Sequence, residues 1–230
     1  MRIVICNDSD RELWLKERRK KITASEMLVF LDRQPDWYST NKEELLAQKL
    51  DGTEPLFDHK AKVRMNHGRL DEANNLAKVG KLLGYPVAEY HQFIGNDRWP
   101  YLGATLDGLL FPHMAVEPDM DLTMQEGRVL ETIDAIITAS VATGDPLLVE
   151  LKQTEAHRYG KNGKPWIDFV PDYYIPQVQT QMWLADVERM VLVGCLGAAD
   201  MTAWILGRDP EWEGILDAAN SEAFAVLGAT

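Results

Sequence analysis

The segment LLVELKQ, residues 147–153, constrains the fold more than any other stretch of this chain. Leu147, Leu148, Val149 and Leu151 place apolar side chains on both faces of an extended backbone, as in a strand at the centre of a sheet. Into this run the sequence sets Glu150 and Lys152, two residues apart and so on one face. A carboxylate and an ammonium on a central strand are costly unless they pair or hold a metal. From this segment alone, a structural ion pair and a working site are equally good readings.

The rest of the chain supplies partners for such a strand. Residues 9–18 read as a short helix with Ser9 as N-cap and Glu12 three residues on. A second short helix runs from Thr23 or Ala24 to about Leu31. A third, over 41–50, has Thr40 as N-cap, Glu43 at the capping-box position and Gly52 after its end. The longest helical pattern covers 59–83 and stops at Gly84. The period then changes. In PVAEYHQFIG, Val87, Glu89, His91 and Phe93 share one face, which predicts a strand. Residues 99–111 predict another, bent near Gly103 or Gly108. Residues 128–138 lean to strand, 173–186 form a helix with Pro176 in its first turn, 190–197 and 202–207 form a hairpin, and 210–227 close the chain as a helix. This order is that of an α/β (α+β) protein with a central mixed β-sheet flanked by helices.

No repeat, low-complexity tract or Gly/Ser linker divides residues 1–230, so a single domain is expected. The 24 Lys+Arg against 36 Asp+Glu give a net charge of −12, unlike a simple nucleic-acid binder but compatible with carboxylates that hold metal ions. The charge is uneven: KERRKK at 16–21 is basic, whereas 111–147 holds seven acids and only Arg128 as a base. Cys6 and Cys195 make no CxxC motif, no apolar run reaches membrane-spanning length, and the acids in MRIVICNDSD come too early for a signal peptide. A cytoplasmic protein away from membranes is the expectation.

Asp107 adds to Glu150 and Lys152. In YLGATLDGLL it is an acid in an apolar strand, where a turn aspartate before Gly108 is the simpler reading taken alone. Together, Asp-Gly followed by Glu-x-Lys offers two hard oxygen ligands and a neighbouring cation. That donor set suits Mg²⁺ and a lysine that orients or activates water in phosphodiester hydrolysis. His67, His91, His113 and His157 show no ligand spacing, and Trp14, Trp183 and Tyr174 read as core.

Five blocks in order carry a resemblance: ELWLKERRKKITASEM at 12–27, HGRLDE at 67–72, GATLDGLL at 103–110, LLVELKQ, and YYIPQVQTQMWLAD at 173–186. Together they resemble the lambda-exonuclease or YqaJ-like viral recombinase nucleases of the PD-(D/E)xK superfamily. The resemblance implies a restriction-endonuclease-like core and a Mg²⁺-dependent 5′-to-3′ exonuclease acting on double-stranded DNA ends by a two-metal mechanism, with Mn²⁺ as a substitute. It implies Glu72, Asp107 and Glu150 as metal ligands with the Leu151 carbonyl, Lys152 on the hydrolytic water, and Gln177 in support of the site. Arg18, Thr23 and Ser25 would receive a 5′-phosphate, aided by backbone N–H groups at the start of the second helix. Taken without the resemblance, a pair that bonds only solvent is an equally good reading of Gln177 and Gln181.

The family also implies a homotrimer and a single-strand annealing protein as partner. The chain departs from the pattern at Leu106, where a proline is common, and at Gln153 and Thr154, where Cys or Pro often follows the lysine. It also carries the acidic segment 111–147 as an apparent insertion. A site-specific endonuclease on the same core, or a non-catalytic DNA-binding regulator, are the alternatives.

Overall fold

The computed structural model describes residues 1–7, 9–36, 38–53, 59–111, 147–154, 170–196 and 200–228. The strand expected at 128–138, and nearly all of the acidic segment, lie outside these residues. The described helices are α1 (Arg11–Arg19), α2 (Met27–Phe30), α3 (Lys42–Asp51), α4 (His59–Leu83), α5 (Ile175–Ala185) and α6 (Glu211–Leu227). The strands are β1 (Arg2–Asn7), β2 (Ile22–Thr23), β3 (Val87–Glu89), β4 (Gln92–Asn96), β5 (Trp99–Thr105), β6 (Gly108–Leu110), β7 (Leu147–Thr154), β8 (Arg189–Leu196) and β9 (Asp200–Gly207). None of the described helices is long and apolar enough to cross a membrane.

The mixed α/β class is as expected, but the strands form two mixed sheets instead of one. The order is β1-β4-β5-β2 in the first and β3-β6-β7-β8-β9 in the second. β7 is the middle strand of five, antiparallel to β6 and parallel to β8. Its two faces pack into different cores. Leu148 joins a cluster with Val178 and Met182 of α5 and Leu216 of α6, while Leu147 and Val149 join Leu76, Val79 and Leu83 of α4. Glu150 therefore lies on the α5 side, two residues from Leu148.

The expected strand 86–95 is in fact two. β3 pairs with β6 in the second sheet and β4 with β5 in the first, and the chain changes sheet at Tyr90–His91. The strand over 99–111 changes sheet in the same way, at Leu106–Asp107 beside Gly108, and Tyr90 N–H donates to the Asp107 carbonyl across the crease (3.0 Å). Period-two alternation continues through such a break, which is why the sequence reads as unbroken.

Helix ends follow local chemistry, one residue off the expected caps. Asp10, not Ser9, caps α1 by accepting from Leu13 N–H (3.1 Å). Asn41, not Thr40, caps α3, and its box partner is Glu44, not Glu43. Gly52 and Gly84 take the left-handed conformation after α3 and α4.

Gly103 serves close approach. Its backbone pairs with Thr23 of β2, and a Cβ there would stand 2.5 Å from the ring of the fully buried Phe93. Gly103→Ala is expected to cost about 1–3 kcal/mol by overpacking. A thermal melt checks it: a midpoint equal to that of the parent would contradict the packing.

Candidate active site

The crease between the sheets brings the acids together. Asp107 lies between β5 and β6, and its Oδ2 accepts from Leu151 N–H of β7 (2.8 Å). Glu150, 3 % exposed, is ringed by donors: Lys152 Nζ at 2.5 Å and Gln177 Nε2 on Oε1, and Gln181 Nε2 on Oε2 at 2.5 Å. Gln177 and Gln181 are one turn apart on α5, so both amides reach the same carboxylate. This excludes the reading in which they bond only solvent. Gln181 also donates to the Thr105 carbonyl (3.1 Å), tying α5 to the last residue of β5.

Burial and neighbouring charges act strongly on the groups at this crease. Burial first, and then the charge of Glu150, push the Asp107 carboxyl well above the usual carboxylate range, with Glu72 adding to the rise. Burial pulls Lys152 down, but Glu150 and Asp107 outweigh it and hold the ammonium above its ordinary value. Lys152 also sits 5.3 Å over the Tyr174 ring. An ammonium so held is a donor and a fixed positive charge more than a base.

Asp107 and Glu150 offer hard carboxylate oxygens whose charges act on each other, and that repulsion is what a divalent cation would relieve. That donor set fits Mg²⁺, which takes one or two carboxylates and completes its shell with water and phosphate. Glu72, half-buried on α4, acts on Asp107 through its charge. Among the described residues, no three His, Cys, Asp or Glu side chains close into a metal cluster by themselves.

The basic run lies on the other side of the crease. Trp14 of α1 donates from Nε1 to Thr105 Oγ1 (3.3 Å), and the Arg18 guanidinium lies 5.0 Å over the Trp14 ring. Arg18 Nη2 meets Glu26 Oε1 at 3.2 Å. Thr23 and Ser25 place their hydroxyls 3.1 Å apart in the turn that follows β2. The three residues expected to receive phosphate thus share one short stretch of chain.

The start of the second helix is a short turn. Residues 24–26 form a 3-10 turn, α2 is four residues long, and Thr23 N–H is taken by Glu26 Oε2 (2.9 Å).

Sequence reasoning did not single out Glu26 or Lys49, which join Arg18 in one charge cluster. Lys49 Nζ of α3 lies 2.7 Å from Glu26 Oε2 and donates to the Arg18 carbonyl (3.0 Å). Burial pushes Glu26 up, but Lys49 and Arg18 hold its carboxyl below the usual range. The capping-box spacing from Thr23 to Glu26 was the available signal. Tyr38 was missed too. Burial chiefly raises its hydroxyl, and the charges of Glu26, Lys152 and Arg18 all act on it, so it lies between the basic cluster and the acids.

A family model, the YqaJ-like viral recombinase domain, matches residues 13–188. Among solved structures, the alkaline exonuclease LHK-Exo of Laribacter hongkongensis aligns at 21% identity over 95% of this chain and 93% of that one, with a TM-score of 0.59. The same exonuclease in complex with dAMP aligns at 20% identity over the same shares, with a TM-score of 0.60. A phage-related exonuclease from Haemophilus somnus 129PT aligns at 13% identity over 90% of this chain and 93% of that one, with a TM-score of 0.56. Curated proteins give no significant match. These structures share the fold, and the family model spans most of the chain, including all of the acids, Lys152 and the basic turn. The chain belongs to the YqaJ-like viral recombinase family.

Proposed function

We propose that the chain is a divalent-metal-dependent exonuclease that degrades duplex DNA from 5′-phosphorylated ends in the 5′-to-3′ direction. The observation that carries this reading is the half-buried Asp107 beside the buried Glu150: burial first, and then the Glu150 charge, lift the Asp107 carboxyl, while Lys152 donates to Glu150. Asp107, Glu150 and the Leu151 carbonyl would hold the metal, with Glu72 contributing to a second position in a two-metal arrangement. When bound, Mg²⁺, or Mn²⁺ in its place, supplies charge stabilisation to the phosphoryl group and acidifies water.

The chain's own residues do the remaining work. Gln177 and Gln181 fix the Glu150 carboxylate. The Lys152 ammonium orients the attacking water and stabilises the charge that develops on the phosphate. Arg18, Thr23 and Ser25 receive the terminal phosphate, and the guanidinium suits this because its planar fork matches phosphate oxygens. A homotrimer, and an annealing protein that takes the single strand produced, complete the proposal.

The test is digestion of linear duplex labelled separately at each end, with Mg²⁺ and with EDTA, beside a circular duplex. Loss of the 5′ label first, only with metal and only from linear DNA, is expected. Cutting of the circle would establish the endonuclease reading instead, and binding with no cutting the regulatory one. Arg18→Ala is expected to abolish the preference for a 5′-phosphate over a 5′-hydroxyl end while hydrolysis continues at a reduced rate. A wild type indifferent to the two ends would contradict the assignment of the pocket.

A further inference from the structure

We propose that Glu26 is a positioning residue that fixes the Arg18 guanidinium for a terminal phosphate monoester, and that Lys49 is the second cation of that receptor. The inference rests on the reading of Arg18, Thr23 and Ser25 as the 5′-phosphate site and extends it to two residues outside that set. Its basis is a buried charge cluster with more cations than anions.

Glu26 spends both oxygens within the cluster: Oε1 on Arg18, Oε2 on Lys49 and on Thr23 N–H. The side chains of Glu26 and Lys49 are 16% and 5% exposed, while that of Arg18 is 33% exposed. One carboxylate thus faces two cations, leaving one positive charge in surplus in a place where uncompensated charge is costly. That surplus reaches solvent at Arg18, and Glu26 links it to the turn where the hydroxyls of Thr23 and Ser25 pair.

A pair that served only to hold α1 to α3 would be complete with one cation. Here Lys49 also grips the Arg18 carbonyl, so α3 holds both the backbone and, through Glu26, the side chain of the same arginine. Trp14 closes the other face of the guanidinium. Arg18 is therefore held in a single pose before any ligand arrives, and only one of its five N–H donors is engaged by Glu26. A receptor built in this way favours an anion with two charges over one with a single charge. A terminal phosphate carries about −1.5 to −2 at neutral pH, whereas an internal diester carries one charge.

The experiment is equilibrium binding in EDTA, read by fluorescence anisotropy, of two duplexes that differ only in a 5′-phosphate or a 5′-hydroxyl end. Wild type is expected to favour the phosphorylated end by about 10–100-fold, the worth of one or two charge-assisted hydrogen bonds. Glu26→Gln and Lys49→Met should each bring that ratio to within about threefold of unity, losing far less affinity for the hydroxyl end. Lys49→Arg, which keeps the charge, should restore most of the ratio.

A wild-type ratio persisting in either variant, or an equal loss on both duplexes, would overturn the proposal, since a merely structural role weakens both ends alike. Should Glu26→Gln fail to fold, Lys49→Met decides alone, because it leaves a neutral Glu26–Arg18 pair. If wild type and Arg18→Ala already treat the two ends alike, the underlying assignment of the 5′ site has failed, which is a distinct result.

Discussion

Turnover of linear duplex DNA is expected to fall by about 10²–10³-fold in Lys152→Met, the usual cost of losing one preorganised donor at a phosphoryl or acyl centre. The methionine keeps the length of the side chain and its packing over Tyr174, but not the charge that lies 2.5 Å from Glu150. Glu150 retains the amides of Gln177 and Gln181, so the carboxylate stays satisfied and the strand stays in place. Affinity for a phosphorylated end, which the proposal assigns to Arg18, should change little. Single-turnover rates beside end-binding measurements separate the two. Turnover near that of wild type would remove Lys152 from the chemistry.

A still larger loss is expected for Asp107→Asn, coupled to a gain in stability. The amide oxygen can keep the bond from Leu151 N–H, but the variant no longer places a second charge beside Glu150. The sign follows from linkage. The folded-state value of Asp107 is raised, so the folded protein holds the proton more tightly than the unfolded chain does. Its carboxylate therefore costs nothing well below the ordinary carboxylate range. The cost grows as the pH rises from there through the raised value, and is fully present above it.

At neutral pH and without metal, Asp107→Asn should therefore melt higher than wild type while cleaving no DNA. Added Mg²⁺ should raise the wild-type midpoint, because a ligand that binds only the folded state stabilises it, and should leave the variant unmoved. Melting curves in EDTA and in Mg²⁺, over a pH series, check the stability statements, and digestion of linear duplex checks the loss of cleavage. A variant that melts lower than wild type in EDTA, or that still cuts, would refute the account of the acid pair.

The parts of this molecule legible in the sequence are those whose signals are local. LLVELKQ announces a central strand because both of its faces are apolar, and β7 is the middle strand of its sheet. Gly84 ends α4 because the backbone there turns left-handed, and Pro176 is accommodated in the first turn of α5. The caps came out one residue away because Ser9 and Asp10, like Thr40 and Asn41, are adjacent residues of nearly equal capping strength.

What was not legible depends on contacts between distant segments. β1 shows no alternation that sets it apart, and becomes a strand by pairing with β4, some ninety residues away in the chain. The exchange of sheets at Tyr90–His91 leaves the side-chain alternation intact and shows only in the pairing. Glu26 reads as the last letter of a helix-start motif, and nothing in its neighbours says that Lys49 will come to it from α3. Gln181 repeats the spacing of Gln177, but only the approach of α5 to β7 shows that both serve Glu150.

The crease also fixes when, during folding, the two halves of the site come into being. The proposed phosphate receptor draws Arg18, Thr23, Ser25 and Glu26 from nine consecutive residues, with hydrogen bonds from Arg18 to Glu26 and from Thr23 to Glu26 that span eight and three positions, and Lys49 joins it from 31 positions away. The proposed hydrolytic half is assembled across longer loops: 44 residues between Asp107 and Leu151 and 76 between Thr105 and Gln181. Closing loops of that size costs chain entropy before any contact repays it, so such pairings belong to the late, cooperative part of folding. Asp107 and Glu150 have no local scaffold to stand on while the sheets are apart. The short-range contacts of the proposed receptor are thus expected to form ahead of the hydrolytic half, whose acids meet only when the two sheets are in place.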